Sequence, residues 1–404
     1  MTDSHTDAIA KVETSENPWS RDFLEDPYSL YARLRDKGPV VWLSSVGVWG
    51  VFRDADVREV ITDWKTFGSA GGGGISNYYR EKPWREPSVI FEVDPPDHTP
   101  KRAILTRILS PMALTKLRAR LEAQADILAD EVIRKGRFDA ITEFAKPFPL
   151  KVVPDAVGLP GEGRENLLAY GAFVRRGRAH NWQQGWSKED LDEAERVVDW
   201  VTGMCNRGSL APNSFGSQIY DAADAGEINE HEANMLVRSF LTAGVETTMH
   251  SIGNTLFNLA INPEQGRDIC SDPSLVKQAF DETLRFDSPV HVIVRNTMQD
   301  MEFRGIRLGQ YDKVVAFIAS ANRDPLRWPN PDRYDLHRKP AGHIGFGTGI
   351  HGCVGQMVAR MEASALLGAF FKRAASFELD GTPVRHLVGA RGYASLPLTV
   401  KAKT

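Results

Sequence analysis

Apolar residues recur at helical spacing through most of the middle of the chain. The predicted helices cover residues 101–109, 111–134, 166–174, 188–206 and 228–261. Apolar stripes of this period indicate helices that bury one face in a core. We therefore expect a mainly α-helical protein.

Alternating apolar and polar residues nearer the two ends predict small sheets. Strands are expected within residues 40–52, near 290–295, 301–308 and 314–320, and again after 378, with short helices over 28–37 and 54–61. Residues 71–96 are irregular and begin with four glycines. Loops of that length inside a compact chain are usually functional. We expect a flexible tail over residues 1–16 and one domain over 17–404, mainly α with small peripheral β-sheets.

The longest predicted helix begins at a capping box, Asn229-x-x-Glu232, and stops at Asn262-Pro263. Its length, about 48 Å, suggests that it crosses the whole molecule. Near its middle, Gly244 and the hydroxyls after it permit a kink or a widened turn. An acid beside a hydroxyl there, Glu246-Thr247, suits proton relay, although an exposed Glu beside capping-type threonines has the same pattern.

A glycine-rich loop over residues 345–356 surrounds Cys353 and leads directly into an apolar helix. Glycine lets backbone approach a bound group closely. A thiolate at a helix entry is favoured by the helix dipole, which also lowers the thiol pKa. The loop suits a thiolate ligand to haem iron, whereas a buried structural Cys explains one glycine but not the whole spacing.

The composition of the chain indicates its binding partners and its cellular compartment. The 404 residues carry a formal net charge of −4, which gives no reason to expect nucleic acid as a partner. The three cysteines show no CxxC spacing and no even disulfide framework, which indicates a reducing compartment. No apolar run suits a signal peptide or a membrane span. We expect a cytoplasmic monomer.

Four motifs in order make the sequence resemble the cytochrome P450 monooxygenases from about residue 26 onward. They are Ala243-Gly-x-Glu-Thr-Thr, Glu282-x-x-Arg285, Pro331-x-Arg333 and Phe346-x-x-Gly-x-x-x-Cys353-x-Gly355. The resemblance implies the P450 fold, with haem b (iron protoporphyrin IX) between the long central helix and the helix after the Cys loop.

The family's functional residues carry over by position. Cys353 matches the axial thiolate ligand of the iron. Thr247 matches the hydroxyl that helps deliver protons during oxygen activation, and Glu246 matches the acid beside it, where many bacterial members carry Asp. The structural triad that supports the Cys loop matches Glu282, Arg285 and Arg333. Haem contacts are implied for His98, Arg102, Ala243, Arg295, Phe346, Gly347, His351 and Gly355, with His98, Arg102, Arg295 and His351 as propionate partners.

Residues 82–88 and 236–239 look like segments of bacterial enzymes that oxidise para-substituted benzoates, such as 4-methoxybenzoate O-demethylases. In that subfamily the matching Arg and Ser positions hold the substrate carboxylate. The implied residues are Arg85, Ser88, Arg238 and Ser239, with apolar walls from Ala243, Val290, Ile293 and Val89. A guanidinium and two hydroxyls at one end of an apolar slot fit an aromatic acid. Alternatively, Arg85 is a loop cation that pairs with Glu86 or Glu92.

One departure bears on the substrate. Arg175 and Arg178 stand where the benzoate-specific relatives place phenylalanines. If these side chains point inward, the substrate is more polar or carries a second anionic group. If they point outward, the benzoate interpretation stands, with Trp182 or Phe173 as an aromatic wall.

Electrons must come from outside, because the chain has no flavin domain and no iron–sulfur cysteine set. The resemblance implies a [2Fe–2S] ferredoxin, an NAD(P)H-dependent flavoprotein reductase and O2. Six basic residues are predicted to form a docking patch for an acidic partner. Alternatively, they form simply a solvated basic face. They are Arg102, Arg107, Arg338, Arg360, Lys372 and Arg373. A haem sensor or carrier without turnover is a further alternative, disfavoured by the acid–hydroxyl pair.

Overall fold

The computed structural model describes residues 12–179, 186–387 and 389–404, apart from the side chain of Ala179. Its α-helices are α1 (Arg21–Glu25), α2 (Tyr28–Lys37), α3 (Asp54–Thr62), α4 (His98–Ile108), α5 (Pro111–Lys135), α6 (Pro147–Val157), α7 (Asn166–Ala179), α8 (Lys188–Met204), α9 (Phe215–Asp224), α10 (Glu230–Ala260), α11 (Pro263–Ser271), α12 (Val276–Phe286), α13 (Ile318–Ala321) and α14 (Gln356–Arg373). A π-helical turn covers Ala140–Ala145.

The strands are short and lie mostly near the ends of the chain. They are β1 (Glu13–Thr14), β2 (Val41–Leu43), β3 (Val48–Val51), β4 (Phe67–Gly68), β5 (Arg137–Asp139), β6 (Ile293–Thr297), β7 (Met301–Phe303), β8 (Ile306–Leu308), β9 (Lys313–Ala316), β10 (Ala374–Leu379), β11 (Val384–His386), β12 (Gly392–Ser395) and β13 (Pro397–Ala402). The predicted class, mainly α with small sheets, is confirmed.

The central helix α10 forms as its sequence predicts. Asn229 accepts a hydrogen bond from the Glu232 N–H, and the Glu232 carboxylate accepts one from the Asn229 N–H, which completes the capping box. Side chains on nearly every face of α10 are buried, so its stability comes from tertiary packing rather than from one amphipathic stripe. The helix continues without interruption past Gly244, so the widened turn that the sequence permits is not formed.

The main core lies among the long helices. The helices α5 and α14 pack closely against each other, and α10 packs against α6, α7, α9 and α12. A sheet in the order β1-β2-β3-β9-β6-β4 forms the other side of the molecule. In this sheet β9 pairs in parallel with β3 and antiparallel with β6, where Ile293 lies opposite Ala316. The sheet therefore holds the chain before residue 70 against the chain after residue 290.

Helices α1, α6, α9, α11 and α13 were not predicted, and α6 and α9 illustrate the reasons. Helix α6 contains Pro147, Pro149 and Pro154, which argue against a helix. The first two fall in the first turn, where no intrahelical N–H bond is lost. Helix α9 contains Gly216, at which a Cβ would lie 2.6 Å from the Val157 carbonyl oxygen. The glycine is required because α9 packs directly on the end of α6.

Strand β1 lies within the predicted tail over residues 1–16. Glu13 and Thr14 pair in parallel with Trp42 and Leu43, and residues 1–11 lie outside the described part. The irregular section over residues 71–96 is confirmed, since α4 begins only at His98. No helix in the described residues is long and apolar enough to cross a lipid bilayer.

Candidate active site

Backbone hydrogen bonds hold Cys353 at the end of its loop, three residues before α14. The Cys353 N–H donates to the Phe346 carbonyl at 2.8 Å, and Gly347 N–H donates to Ile344 at 2.9 Å. Gly347 and Gly349 have φ of 67° and 69°, which favours glycine at both positions. Gly355 lies beside the sulfur, since a Cβ there would be in ordinary van der Waals contact with the Cys353 Sγ, at 3.9 Å.

The protonation of Cys353 differs from the expectation for a helix entry. Burial is the largest effect and raises the pKa of the thiol above its ordinary value. The Gly355 N–H and the charges of Arg102 and Arg360 act in the opposite direction but are smaller. The helix entry alone therefore does not make a thiolate. A metal cation does, because a coordinating thiol is deprotonated by the metal charge.

A buried ion pair supports the loop from below. Arg285 donates to both carboxylate oxygens of Glu282 at 2.8 Å, and both side chains are fully buried. Arg285 also donates to the carbonyls of Asn322 and Pro331. Gly345 presses on the same helix, since a Cβ there would lie 2.7 Å from the Leu284 carbonyl oxygen. The pair therefore fixes α12 directly under the Cys loop.

The third cation of this network was predicted wrongly. Arg338, not Arg333, reaches Glu282, with Nε 3.1 Å from Oε1. Arg333 is exposed and contributes only its backbone carbonyl, which accepts from Arg285 at 3.2 Å. A buried carboxylate needs compensating charge from a desolvated cation, and the backbone turn at Asp335 brings Arg338 into that position.

Four basic side chains, His98, Arg102, Arg295 and His351, converge beside the loop. The His98 and His351 rings have centroids 4.4 Å apart. Burial lowers the pKa of both rings, the charge of Arg102 lowers both further, and that of Arg295 also lowers the pKa of His351. His98 Nε2 and Arg295 Nε are buried without a hydrogen-bond partner among the described residues. Burial lowers the pKa of His98 to about 4 and that of Arg295 to about 10. Unpartnered buried donors of this kind fit the two propionate carboxylates of a haem.

On α10, Ala243 and Thr247 border open space in the middle of an otherwise buried helix. Ala243 is exposed and Thr247 is half-buried. Thr247 Oγ1 donates to the Ala243 carbonyl at 2.7 Å, so its own oxygen is left to accept. Ile293 borders the same loop region, because its Cδ1 is 3.5 Å from where a Cβ on Gly347 would lie. Together with the propionate partners and Cys353, these residues fit haem b.

Glu246 does not lie free beside Thr247. Its carboxylate contacts the Arg175 guanidinium of α7, and it lies 3.6 Å from His250 and 3.7 Å from His386. Glu246 and His250 are buried. His386 comes from β11, about 140 residues along the chain, and no local signal in the sequence indicated it.

The predicted substrate residues are partly brought together. Ser88 Oγ and Ser239 Oγ lie 3.3 Å apart and are buried. Arg85 pairs with Glu92 at 2.8 Å, which is the loop-cation alternative left open by the sequence. Arg238 contacts the Met235 sulfur and lies 5.9 Å from the Tyr170 ring centroid.

The residues predicted to form the apolar walls differ in how far they are exposed. Val290 is 36% exposed, and Val89 is partly buried against the main core.

Arg175 and Arg178 both point inward. Arg175 contacts Glu246, and Arg178 lies beside the irregular section, where its Cζ is 3.6 Å from the position of a Cβ on Gly73. The outward-pointing alternative is therefore wrong. Trp182 lies outside the described residues.

A cavity of about 970 Å³ opens next to these arginines. It is lined by aromatic and cationic side chains that include Trp84, Arg85, Tyr170, Phe173, Trp186 and Arg238. Phe173 stacks edge-on between Trp84 and Trp186, at 5.4 Å from each, and forms an aromatic wall of this cavity. Since Cys353 and Thr247 do not line it, we interpret this cavity as an approach to the site.

The basic residues predicted as a docking patch are mostly engaged within the chain. Ion pairs with acidic side chains involve Arg107, Arg338, Arg360 and Arg373. Arg102 is placed near Cys353, and Lys372 is exposed. The structure thus removes Arg338 from the patch and leaves little uncompensated positive charge there.

Comparisons with known proteins agree with this geometry. A family model described as Cytochrome P450 matches residues 268–384. The chain is 44% identical to cytochrome P450 CYP199A2 of Rhodopseudomonas palustris, over 95% of this chain and 93% of that protein. The structure of CYP109Q5 from Chondromyces apiculatus aligns with a TM-score of 0.81 at 29% identity, covering 97% and 99% of the two chains. CalO2 aligns with a TM-score of 0.85 at 28% identity, covering 96% and 98%. The chain therefore belongs to the cytochrome P450 family of haem-dependent monooxygenases.

Proposed function

We propose that this cytochrome P450 O-demethylates or hydroxylates a small aromatic acid, with a para-substituted benzoate such as 4-methoxybenzoate as the first candidate. The observation that supports it is an excess of buried positive charge. Arg85 and Arg178 share one carboxylate, Glu92. The Nε atoms of both arginines are buried and have no hydrogen-bond partner among the described residues. An anionic ligand supplies the missing acceptor.

Glu92 is itself held as an anion. Burial acts to raise the pKa of its carboxyl, but Arg85, Arg178 and the backbone N–H groups of Ser88 and Gly73 together lower it. Its charge is thus already used by the two guanidiniums. A carboxylate substrate balances the charge that Glu92 leaves over.

The positions along α10 suit a ligand whose anionic and reactive ends lie opposite each other. Ser239 and Thr247 are eight residues apart, or about 12 Å of helix, with the exposed Ala243 midway. In this proposal Ser88 and Ser239 donate to the carboxylate, for which the Ser239 hydroxyl leaves the Met235 carbonyl to which it donates at 2.8 Å in the ligand-free protein. The para substituent lies near Thr247. The bound haem supplies the oxygen-activating chemistry. Thr247 and Glu246 hold and pass protons at their side-chain oxygens.

Electrons come from external partners in this proposal, a [2Fe–2S] ferredoxin and an NAD(P)H-dependent reductase. A haem carrier without turnover is not retained, because the chain belongs to a family of monooxygenases.

A second candidate substrate is favoured by the inward orientation of Arg175 and Arg178. Two guanidiniums in the place of apolar side chains suit a more polar molecule or one with a second anionic group. Arg175 is already paired with Glu246, whereas Arg178 is not paired as closely with any described acid. Arg178 is therefore the residue that both candidates place against an anionic group, and the number of anionic groups on the best ligand separates them.

The test is a titration of the ferric haem spectrum with 4-methoxybenzoate, its amide and its methyl ester. We expect tight spin-state conversion with the acid only. Arg178→Met removes a charge-assisted hydrogen bond, worth about 1.5–3 kcal/mol, and weakens acid binding roughly tenfold or more. Arg176→Met is the matched control, because Arg176 pairs with Asp190 at the surface.

Equal binding of the acid and the ester contradicts the carboxylate proposal. Tighter binding of an aromatic acid with a second anionic group, lost in Arg178→Met, selects the second candidate instead.

A further inference from the structure

Glu246, His250 and His386 bring three metal-ligating side chains together beside α10. One ligand atom from each lies within 4.8 Å of the other two. His250 follows Glu246 by four residues, so the two project from consecutive turns of one helix face. Two ligands at this helical spacing with a third from another element form a common metal-binding arrangement.

Glycines make room for this cluster under the β11–β12 hairpin. A Cβ on Gly392 would lie 2.1 Å from His250 Nδ1, and one on Gly389 would lie 2.0 Å from Arg175 Nε. Both approaches require a residue without a side chain. The hairpin is thus fitted to the imidazole and to the guanidinium, and it places His386 over Glu246.

Both ring nitrogens of His250 are available to a ligand. The side chain is 1% exposed, and neither ring nitrogen has a hydrogen-bond partner among the described residues. An imidazole nitrogen that no donor or acceptor engages can bind a metal ion. His386 is half-buried, with 29% of its side chain exposed, and provides a route from solvent.

We infer that Glu246, His250 and His386 form a binding site for one divalent transition-metal ion of the zinc class. The Glu246 oxygen is 3.6 Å from His250 Nε2 and 3.7 Å from His386 Nε2. Tetrahedral zinc with bonds of about 2.0–2.2 Å sets its ligands roughly 3.3–3.6 Å apart. Two imidazoles and one carboxylate favour zinc over calcium or magnesium. The three ligand atoms lie within 4.8 Å of one another and the two imidazole rings are stacked, so metal binding turns the rings and displaces Arg175 from Glu246.

Arg175 competes with the metal for the same carboxylate. In the metal-free protein its guanidinium neutralises Glu246, and a bound cation takes over that role. A metal here holds Glu246 away from proton transfer, so binding inhibits turnover. That consequence rests on the proposed function of Glu246, whereas metal binding itself does not.

Equilibrium dialysis of the chelator-treated holoenzyme against zinc chloride tests the site, with zinc per haem measured by mass spectrometry. We expect one tight zinc per chain. His250→Ala and His386→Ala each weaken it by at least about tenfold. Arg175→Ala tightens it by roughly tenfold, because a competing charge is removed. X-ray absorption at the zinc edge is expected to show two imidazole ligands.

The control variants are His231→Ala and His337→Ala. These exposed histidines pair with Glu86 at 2.5 Å and Asp268 at 3.2 Å, and are the obvious adventitious zinc sites. The inference is overturned if the tight zinc is absent, if it disappears in a control variant, or if Arg175→Ala weakens it. His386→Ala keeps the test decisive if His250→Ala fails to fold. Tight zinc binding without inhibition refutes only the role proposed for Glu246.

Discussion

Replacing Arg338 by Met is expected to destabilise the protein, whereas the same change at Arg333 is nearly neutral. Arg338 Nε donates to the fully buried Glu282 at 3.1 Å, and its other nitrogens donate to the carbonyls of Pro329 and Asn330 at 2.8 and 3.1 Å. Arg333 is exposed and has no such role for its side chain.

The size of the stability loss depends on the hydrogen bonds that Glu282 keeps. Removing one partner of a buried ion pair costs about 3–5 kcal/mol when the remaining charge is left alone. Here Glu282 keeps two bonds from Arg285 and one from the Asp335 N–H at 3.1 Å. The loss is then nearer to one charge-assisted bond of about 1.5–3 kcal/mol plus two weaker carbonyl bonds. We expect a loss of roughly 2–4 kcal/mol for Arg338→Met and under about 0.5 kcal/mol for Arg333→Met.

The assay is guanidinium chloride unfolding of the holoenzyme, followed by circular dichroism and by the haem absorption band. The reduced, CO-treated spectrum reports thiolate ligation independently. In Arg338→Met this spectrum is expected to lose its thiolate signature at lower denaturant than the global transition, since the ion pair lies under the Cys loop. Comparable destabilisation in Arg333→Met, or none in Arg338→Met, would refute the assignment.

Two further predictions concern proton transfer and pH. In Thr247→Ala we expect the substrate-induced spin shift to persist, whereas the amount of product formed per NAD(P)H consumed falls about tenfold or more, because a hydroxyl in the proton relay is lost. The measurement is a reconstituted turnover assay. An unchanged product yield contradicts the relay. Lys313 is buried, and burial lowers its pKa from 10.5 to about 7. The unfolded chain therefore binds more protons than the folded protein between about pH 7 and 10.4. Across that window the contribution of Lys313 to the free energy of unfolding rises with pH, by at most about 1.4 kcal/mol per pH unit. Lys313→Met is expected to flatten the rise in unfolding free energy measured from pH 7 to 9.5; an unaltered slope shows that Lys313 does not titrate there.

Much of the local structure was predictable because its causes lie within a few residues. The capping box that begins α10 involves side chains and backbone three residues apart, so its spacing is enough to place the helix start. The same holds for the Cys loop, where glycine positions and the position of Cys353 follow from one short segment. Helix α6 shows what such local signals do not predict. Its prolines disfavour a helix by propensity, yet the first turn tolerates two of them and packing against α10 stabilises the rest.

By itself, the sequence determined the mainly helical class, the position of the Cys loop and the family to which the chain belongs. Only the tertiary structure decided which charges meet in the interior. Arg333 and Arg338 are five residues apart and look equivalent, but one backbone turn brings only Arg338 to Glu282. Glu246 looked like a partner of Thr247, yet helix α7 and strand β11 surround it with Arg175 and His386. A buried charge is compensated by whichever cation the fold desolvates beside it. That choice depends on contacts between residues far apart in the chain, from 56 positions for Glu282 and Arg338 to 140 for Glu246 and His386.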